Sequence, residues 1–127
     1  MKIVVDMAWG KNLSVNHMRF GRGGKWHRKP EVQAWMDTLA WKVKIAAREQ
    51  EFSLPLRVTV DFRWPDKRPR DCDNHFKVIQ DSVAAGLGLV RGRRLLDEHL
   101  RIGTGSVTVD RANPGFTITV EDGEEQG

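Results

Sequence analysis

Arg70-Asp71-Cys72-Asp73-Asn74-His75-Phe76-Lys77 holds the side chains best able to do chemistry: two carboxylates one residue apart and a lysine four residues after the second. In extended backbone alternate residues share a face, so Asp71 and Asp73 point one way and Cys72 the other. Two converging carboxylates repel unless a cation lies between them. A hard, all-oxygen site suits Mg²⁺, which takes one or two carboxylates and keeps waters for a phosphate. Asp73 or Asn74 also has the side chain of a helix N-cap. A helix starting there places Lys77 one turn above Asp73 on the same face. Carboxylate, carboxylate and ammonium then meet at one place, which is the chemistry of phosphodiester cleavage. The same spelling also occurs where one aspartate simply caps a helix and the other is exposed.

The surrounding pattern supplies elements to position this stretch. Lys2 to Trp9 reads as a strand with Ile3, Val5 and Met7 on one face. Residues 11–29 form a basic loop, with a hairpin around Gly21-Arg22-Gly23-Gly24. Pro30-Glu31 opens a helix whose core stripe is Val32, Trp35, Met36, Leu39, Val43, Ala46 and Ala47, reaching about Gln50. Leu56 to Trp64 alternates cleanly as a strand buried on one side. A second helix runs from about Asn74 to Leu87 on a stripe of Phe76, Ile79, Val83 and Leu87, and Gly86 and Gly88 end it. Asp81 lies one turn beyond Lys77 and can pair with it. Strands follow at about His99 to Ile102 and Val107 to Val109, then Asn113-Pro114-Gly115 turns into a last strand of Phe116, Ile118 and Val120. Residues 122–127 read as a frayed acidic tail. This order predicts an α/β (α+β) fold, one mixed sheet packed with two main helices in a single domain, 1–127.

Composition narrows the class. An apolar fraction of 39% and a charged fraction of 30% suit a soluble globular chain. No apolar run is long enough for a membrane span and no signal-peptide pattern occurs, so a cytoplasmic setting is expected. The lone Cys72 excludes an internal disulfide, and its hard carboxylate neighbours disfavour a thiolate metal site. The net charge is +4, but its distribution says more. Met7 to Pro30 holds no acid while it carries Lys11, Arg19, Arg22, Lys25, Arg28 and Lys29. Lys67-Arg68-Pro69-Arg70 abuts the aspartates, and Arg91-Gly92-Arg93-Arg94 forms a third cluster. Three basic loops around an acidic centre fit a phosphate backbone, with Asn16, Arg19, Arg22, Lys25, Arg28, Lys67, Arg68 and Arg70 as candidate DNA contacts. His17, His27, His75 and His99 lack zinc spacing with cysteine, Ser14 lacks a nucleophile-elbow context, and no Walker loop occurs.

Arg70-Asp71-Cys72-Asp73-Asn74, then Lys77 and Asp81, resembles the signature of the RusA family of Holliday-junction resolvases. That signature is R-D-x-D-N, then a lysine, then an aspartate one turn later. Ser14-x-Asn16 before a basic, glycine-rich segment and a helix is similar too, and the order of elements agrees along most of the chain. The resemblance implies a mixed sheet, a dimer, Mg²⁺ as cofactor, and a third acid soon after the second helix. Val90 and Arg91 follow that helix here, so the role falls to Asp97, with Glu98 close behind, after an arginine-rich insertion. Asp71, Asp73 and one of Asp97 and Glu98 are then the expected metal ligands, with Lys77 as a catalytic cation. The expected substrate is a four-way DNA junction. Nucleases for other branched DNA would use the same site, and a nucleic-acid-binding protein with a vestigial site is the alternative the displaced acid leaves open. Symmetric cutting needs two acidic centres and this chain shows one, so a two-fold homodimer is expected. Trp41 and Ile45 lie off the core stripe of the first helix and offer a surface for it.

Overall fold

A computed structural model describes residues 1–22, 25–92 and 94–123, apart from the side chains at 22, 25, 26 and 97. The chain begins with β1 (Lys2–Ala8), followed by a hairpin of β2 (Arg19–Arg22) and β3 (Lys25–Arg28). Then come α1 (Pro30–Ala46) and β4 (Leu56–Trp64). A short 3₁₀ turn over Cys72–His75 leads into α2 (Phe76–Gly86). A small hairpin, β5 (Val90–Arg91) with β6 (Arg94–Leu95), precedes a second 3₁₀ turn over Asp97–His99. β7 (Leu100–Val109) and β8 (Gly115–Asp122) complete the sheet.

The main sheet has the order β1-β8-β4-β7, with β4 and β7 parallel and the other pairs antiparallel. It is a mixed sheet with two helices, an α+β fold as the pattern predicted. Because β8 runs against both β1 and β4, the strands β1, β4 and β7 share one direction. Their carboxyl ends therefore lie at the same end of the sheet, beside the start of β8. The core lies between sheet and helices: Ile3, Val5, Leu56, Val58, Val60, Phe62, Ile118 and Val120 meet Val32, Leu39, Val43, Ile79 and Val83. Trp35 Nε1 donates to the Ala8 carbonyl and Lys42 Nζ to that of Asp6, both at 2.8 Å, which ties α1 to β1. At Gly86 a Cβ would sit 2.5 Å from the Ala40 carbonyl oxygen, so the close approach of α1 and α2 requires glycine there.

Several expectations change. α1 ends at Ala46, short of Gln50. Val78 and Ala84 are fully buried in α2 while Phe76 and Leu87 are only partly so, because this helix is covered by α1 on one side and by the β7 side of the sheet on another. The two predicted strands at 99–102 and 107–109 are one continuous β7. Asp122 is not frayed. It belongs to β8, where it binds the N-terminal ammonium at 3.0 Å and accepts from the Ser53 amide. The rest of the predicted tail, 124–127, lies outside the described residues. Among the described residues no helix is long and apolar enough to cross a membrane.

Candidate active site

The shared direction of β1 and β4 brings Trp9, one residue past β1, to Trp64 at the end of β4. Their rings meet edge to face at 5.4 Å and 77°. Trp9 also stacks on Phe116 at the start of β8, at 5.3 Å. The His75 ring enters this cluster, 5.5 Å from each indole. His75 is 6% exposed and its Nδ1 finds no partner among the described residues. Burial lowers its pKa, with Arg70 pushing the same way and the Asp71 backbone opposing, so the ring sits in the cluster as neutral imidazole.

The two aspartates ride on this base. Asp71 has extended backbone (φ −98°, ψ 117°) and its Oδ1 accepts from the Asp73 amide at 3.1 Å. It is thus the cap of the turn, a role the sequence reading gave to Asp73 or Asn74. Asp73 lies inside the 3₁₀ turn, so strand alternation does not relate the two carboxylates; the bond from the Asp73 amide to Asp71 Oδ1 is what links the two residues. Both are exposed, and neither forms an ion pair among the described residues. Cys72, between them, is partly buried and hydrogen-bonds with Thr104 of β7. Burial first, and the flanking carboxylates next, push its thiol pKa up, which keeps it protonated and a poor ligand.

Asp71 also forms part of the wall of an open cleft of about 490 Å³. Its opposite wall is the segment Gly10–His17, pinned to the turn by the Val15 amide, which donates to the Asn74 carbonyl at 2.7 Å. Lys11, Ser14, Asn16, Arg68 and Arg70 line it, and among the described residues Asp71 is its only acid. A cavity of this size, polar on its rim and joined to a pair of exposed carboxylates, is the natural place for a phosphate-bearing ligand.

Lys77 Nζ donates to Asp81 at 3.1 Å, and Asp81 is nearly buried, so the i,i+4 pair expected from the sequence is formed. Asp97 opens the Asp97–His99 turn, which packs against α2, but its side chain lies outside the described residues. Glu98 is exposed and turned to Arg94 at 3.2 Å. Among the described residues no three of His, Cys, Asp and Glu are grouped to hold a metal. By donor chemistry Asp71 and Asp73 suit a hard cation.

Of the expected DNA contacts, Asn16 and Arg68 line the cleft, and Lys67 is exposed beside it. Arg19 is exposed on β2, opposite Arg28 of β3. Arg28 is half-buried and donates to Gln33 at 2.7 Å, so it ties β3 to α1. The side chains of Arg22 and Lys25 lie outside the described residues. Arg70 also lines the cleft, though most of its side chain is covered by its contacts with Asp66, Trp9 and Trp64. The sequence reading missed His75 and the two tryptophans as the base of the site. The available signal was a large aromatic at the end of each of two like-directed strands.

No family model matches the chain. Among curated proteins it is similar to the crossover junction endodeoxyribonuclease RusA of Escherichia coli K12, at 28% identity over 81 residues, 62% of this chain and 64% of that protein. The protein of the same name from Shigella sonnei is 27% identical over the same shares. The matched region thus spans less than two thirds of the length of these relatives.

Proposed function

We propose that this chain is a Mg²⁺-dependent, structure-specific endodeoxyribonuclease that resolves four-way DNA junctions, acting as a symmetric homodimer in DNA recombination and repair. The observation that carries the reading is the pair of exposed carboxylates, without an ion pair among the described residues, on a capped turn whose Asp71 lines a basic cleft. Similarity to proteins named crossover junction endodeoxyribonuclease supports the same reaction.

Asp71, Asp73 and one acid of Asp97 and Glu98 would hold the metal. Bound there, Mg²⁺ would supply Lewis-acid polarisation of the phosphate and a more acidic water. The chain's own residues do the rest. Lys77, steadied by Asp81, places positive charge where negative charge develops or orients the water. Lys11 and Arg68 hold phosphates beside the cut, and Asn16 offers its amide to the same strand. Contacts of this type fix register and read shape, not sequence. The same site would serve a nuclease for other branched DNA.

A second reading, a junction-binding protein with a vestigial site, is favoured by one observation: Glu98 is engaged by Arg94. The test is a synthetic four-way junction beside a matched linear duplex, each with Mg²⁺ or EDTA. The nuclease reading expects cutting of the junction alone, in Mg²⁺ alone. Junction binding without cutting supports the second reading, and equal treatment of both DNAs refutes both.

A further inference from the structure

We propose that Arg70 is a positioning residue that holds the Asp71–Asp73 turn onto the sheet. The inference rests on the nuclease reading of that turn. The guanidinium carbon lies 5.4 Å from the ring centroids of both Trp9 and Trp64, in the corner made by the two perpendicular indoles. One terminal nitrogen donates to Asp66 Oδ1 at 2.7 Å, to the Arg68 carbonyl at 3.2 Å and to the Asp66 carbonyl at 3.4 Å. The side chain is 15% exposed. Asp66 accepts from the Arg68 amide as well, which closes the loop that leaves β4. Arg70 and the Arg68 amide together hold the Asp66 carboxyl down to about 2, so this anchor stays charged through neutral and mildly acidic pH.

All three bonds use one terminal nitrogen, and the guanidinium is held in the corner of the two rings. Moving it away would break its bonds to the loop and lift it off both rings. Its effect on the site is mechanical. The next residue is Asp71, and four residues after that His75 is buried in the same aromatic cluster. The carboxylates therefore sit on a short span anchored at both ends to Trp9 and Trp64. Arg68 lines the cleft as Arg70 does, but it is exposed and makes no side-chain bond among the described residues, so it serves as the comparison for a phosphate contact. Lysine keeps the charge of arginine but not the flat, many-donor shape that this corner uses.

The experiment compares Arg70→Lys, Arg68→Ala and wild type by three readouts: Mn²⁺ binding to the protein alone by electron paramagnetic resonance, junction affinity across a salt series, and cleavage in Mg²⁺. Arg70→Lys should bind the junction with wild-type affinity and salt slope, while Mn²⁺ affinity and cleavage each fall at least about tenfold, the loss typical of a residue that orients a metal ligand. Arg68→Ala should do the reverse, with weaker junction binding, a shallower slope and unchanged Mn²⁺ affinity. Should Arg70→Lys not fold, Asp66→Asn loosens the same anchor with Arg70 in place, and it should lower Mn²⁺ affinity by a smaller factor without touching junction affinity. The inference is overturned if Arg70→Lys or Asp66→Asn keeps wild-type Mn²⁺ affinity and cleavage. It is also overturned if Arg70→Lys loses junction affinity and slope as Arg68→Ala does. A wild type that neither binds Mn²⁺ nor cuts refutes the nuclease reading itself and the inference with it, a result distinct from a mutant that matches an active wild type.

Discussion

Asp71 carries two roles that substitution can separate. Its Oδ1 caps the 3₁₀ turn by accepting from the Asp73 amide at 3.1 Å, and its charge is one of the two proposed metal donors. Asparagine caps about as well as aspartate, so Asp71→Asn should shift stability by no more than a few tenths of a kcal/mol. Alanine removes the acceptor. The cap is exposed and the turn is only Cys72–His75, so the loss belongs at the low end for caps, about 0.5–1 kcal/mol, or a melting temperature lower by roughly 2–5 °C. Cleavage should respond differently. Residues that merely support metal ligands cost about 10–100-fold, so loss of a ligand charge should cost more than about 100-fold in both variants. Junction binding should stay or tighten, since a negative charge facing phosphate is gone. The assay is a thermal melt of the three proteins beside junction binding and cleavage. An Asp71→Asn protein with full activity would refute the proposed site, and an Asp71→Ala protein as stable as wild type would refute the cap.

Three further outcomes are expected. Glu98→Gln should be mild, because Glu98 is exposed and already paired with Arg94, whereas Asp97→Asn should be near-inactive; full cleavage by both variants would remove this acidic pair from the mechanism. The Asp122 carboxyl is held below its ordinary value of 3.8 first by the N-terminal ammonium and then by the Ser53 amide. Its contribution to stability is therefore present above pH 3.8 and lost as pH falls through the lower folded value, and Asp122→Asn should flatten the acid limb of urea melts measured between pH 5 and 2. Trp41 is 61% exposed and Ile45 46% on one face of α1. If they anchor the proposed dimer, Trp41→Glu with Ile45→Glu should sediment as monomer beside a dimeric wild type, and a dimeric double variant would move the interface elsewhere.

What the sequence disclosed follows from where side chains alternate or recur. Leu56 to Trp64 alternates because β4 is central and buried on one face, and its bounds were readable to the residue. The α1 stripe was readable for the same reason at period 3.6. β7 was readable only as two separate pieces, because it is an edge strand, exposed from Thr104 to Val109 and interrupted by Gly103 and Gly105, so no continuous apolar pattern marks it. The hairpin of Val90–Arg91 with Arg94–Leu95 is too short for any period. At the site, Asp71, Asp73 and Lys77 were conspicuous because chemistry needs those residue types. The base beneath them was not, because Trp9, Trp64, Phe116 and His75 come from four separate places and meet only through the direction of β1 and β4. Arg70 was legible as a charge beside the aspartates, but its place against two indoles was not, because only the folded chain brings Trp9 and Trp64 together.

The most direct measurement is paired cleavage of a four-way junction by wild type and Asp73→Asn, in Mg²⁺ and in EDTA, with the cut positions mapped on all four strands. The account predicts symmetric cuts in two opposing strands by the wild type in Mg²⁺, none in EDTA, and an Asp73→Asn protein that binds the junction and leaves it whole. Cutting that survives EDTA or the loss of the Asp73 charge would contradict it.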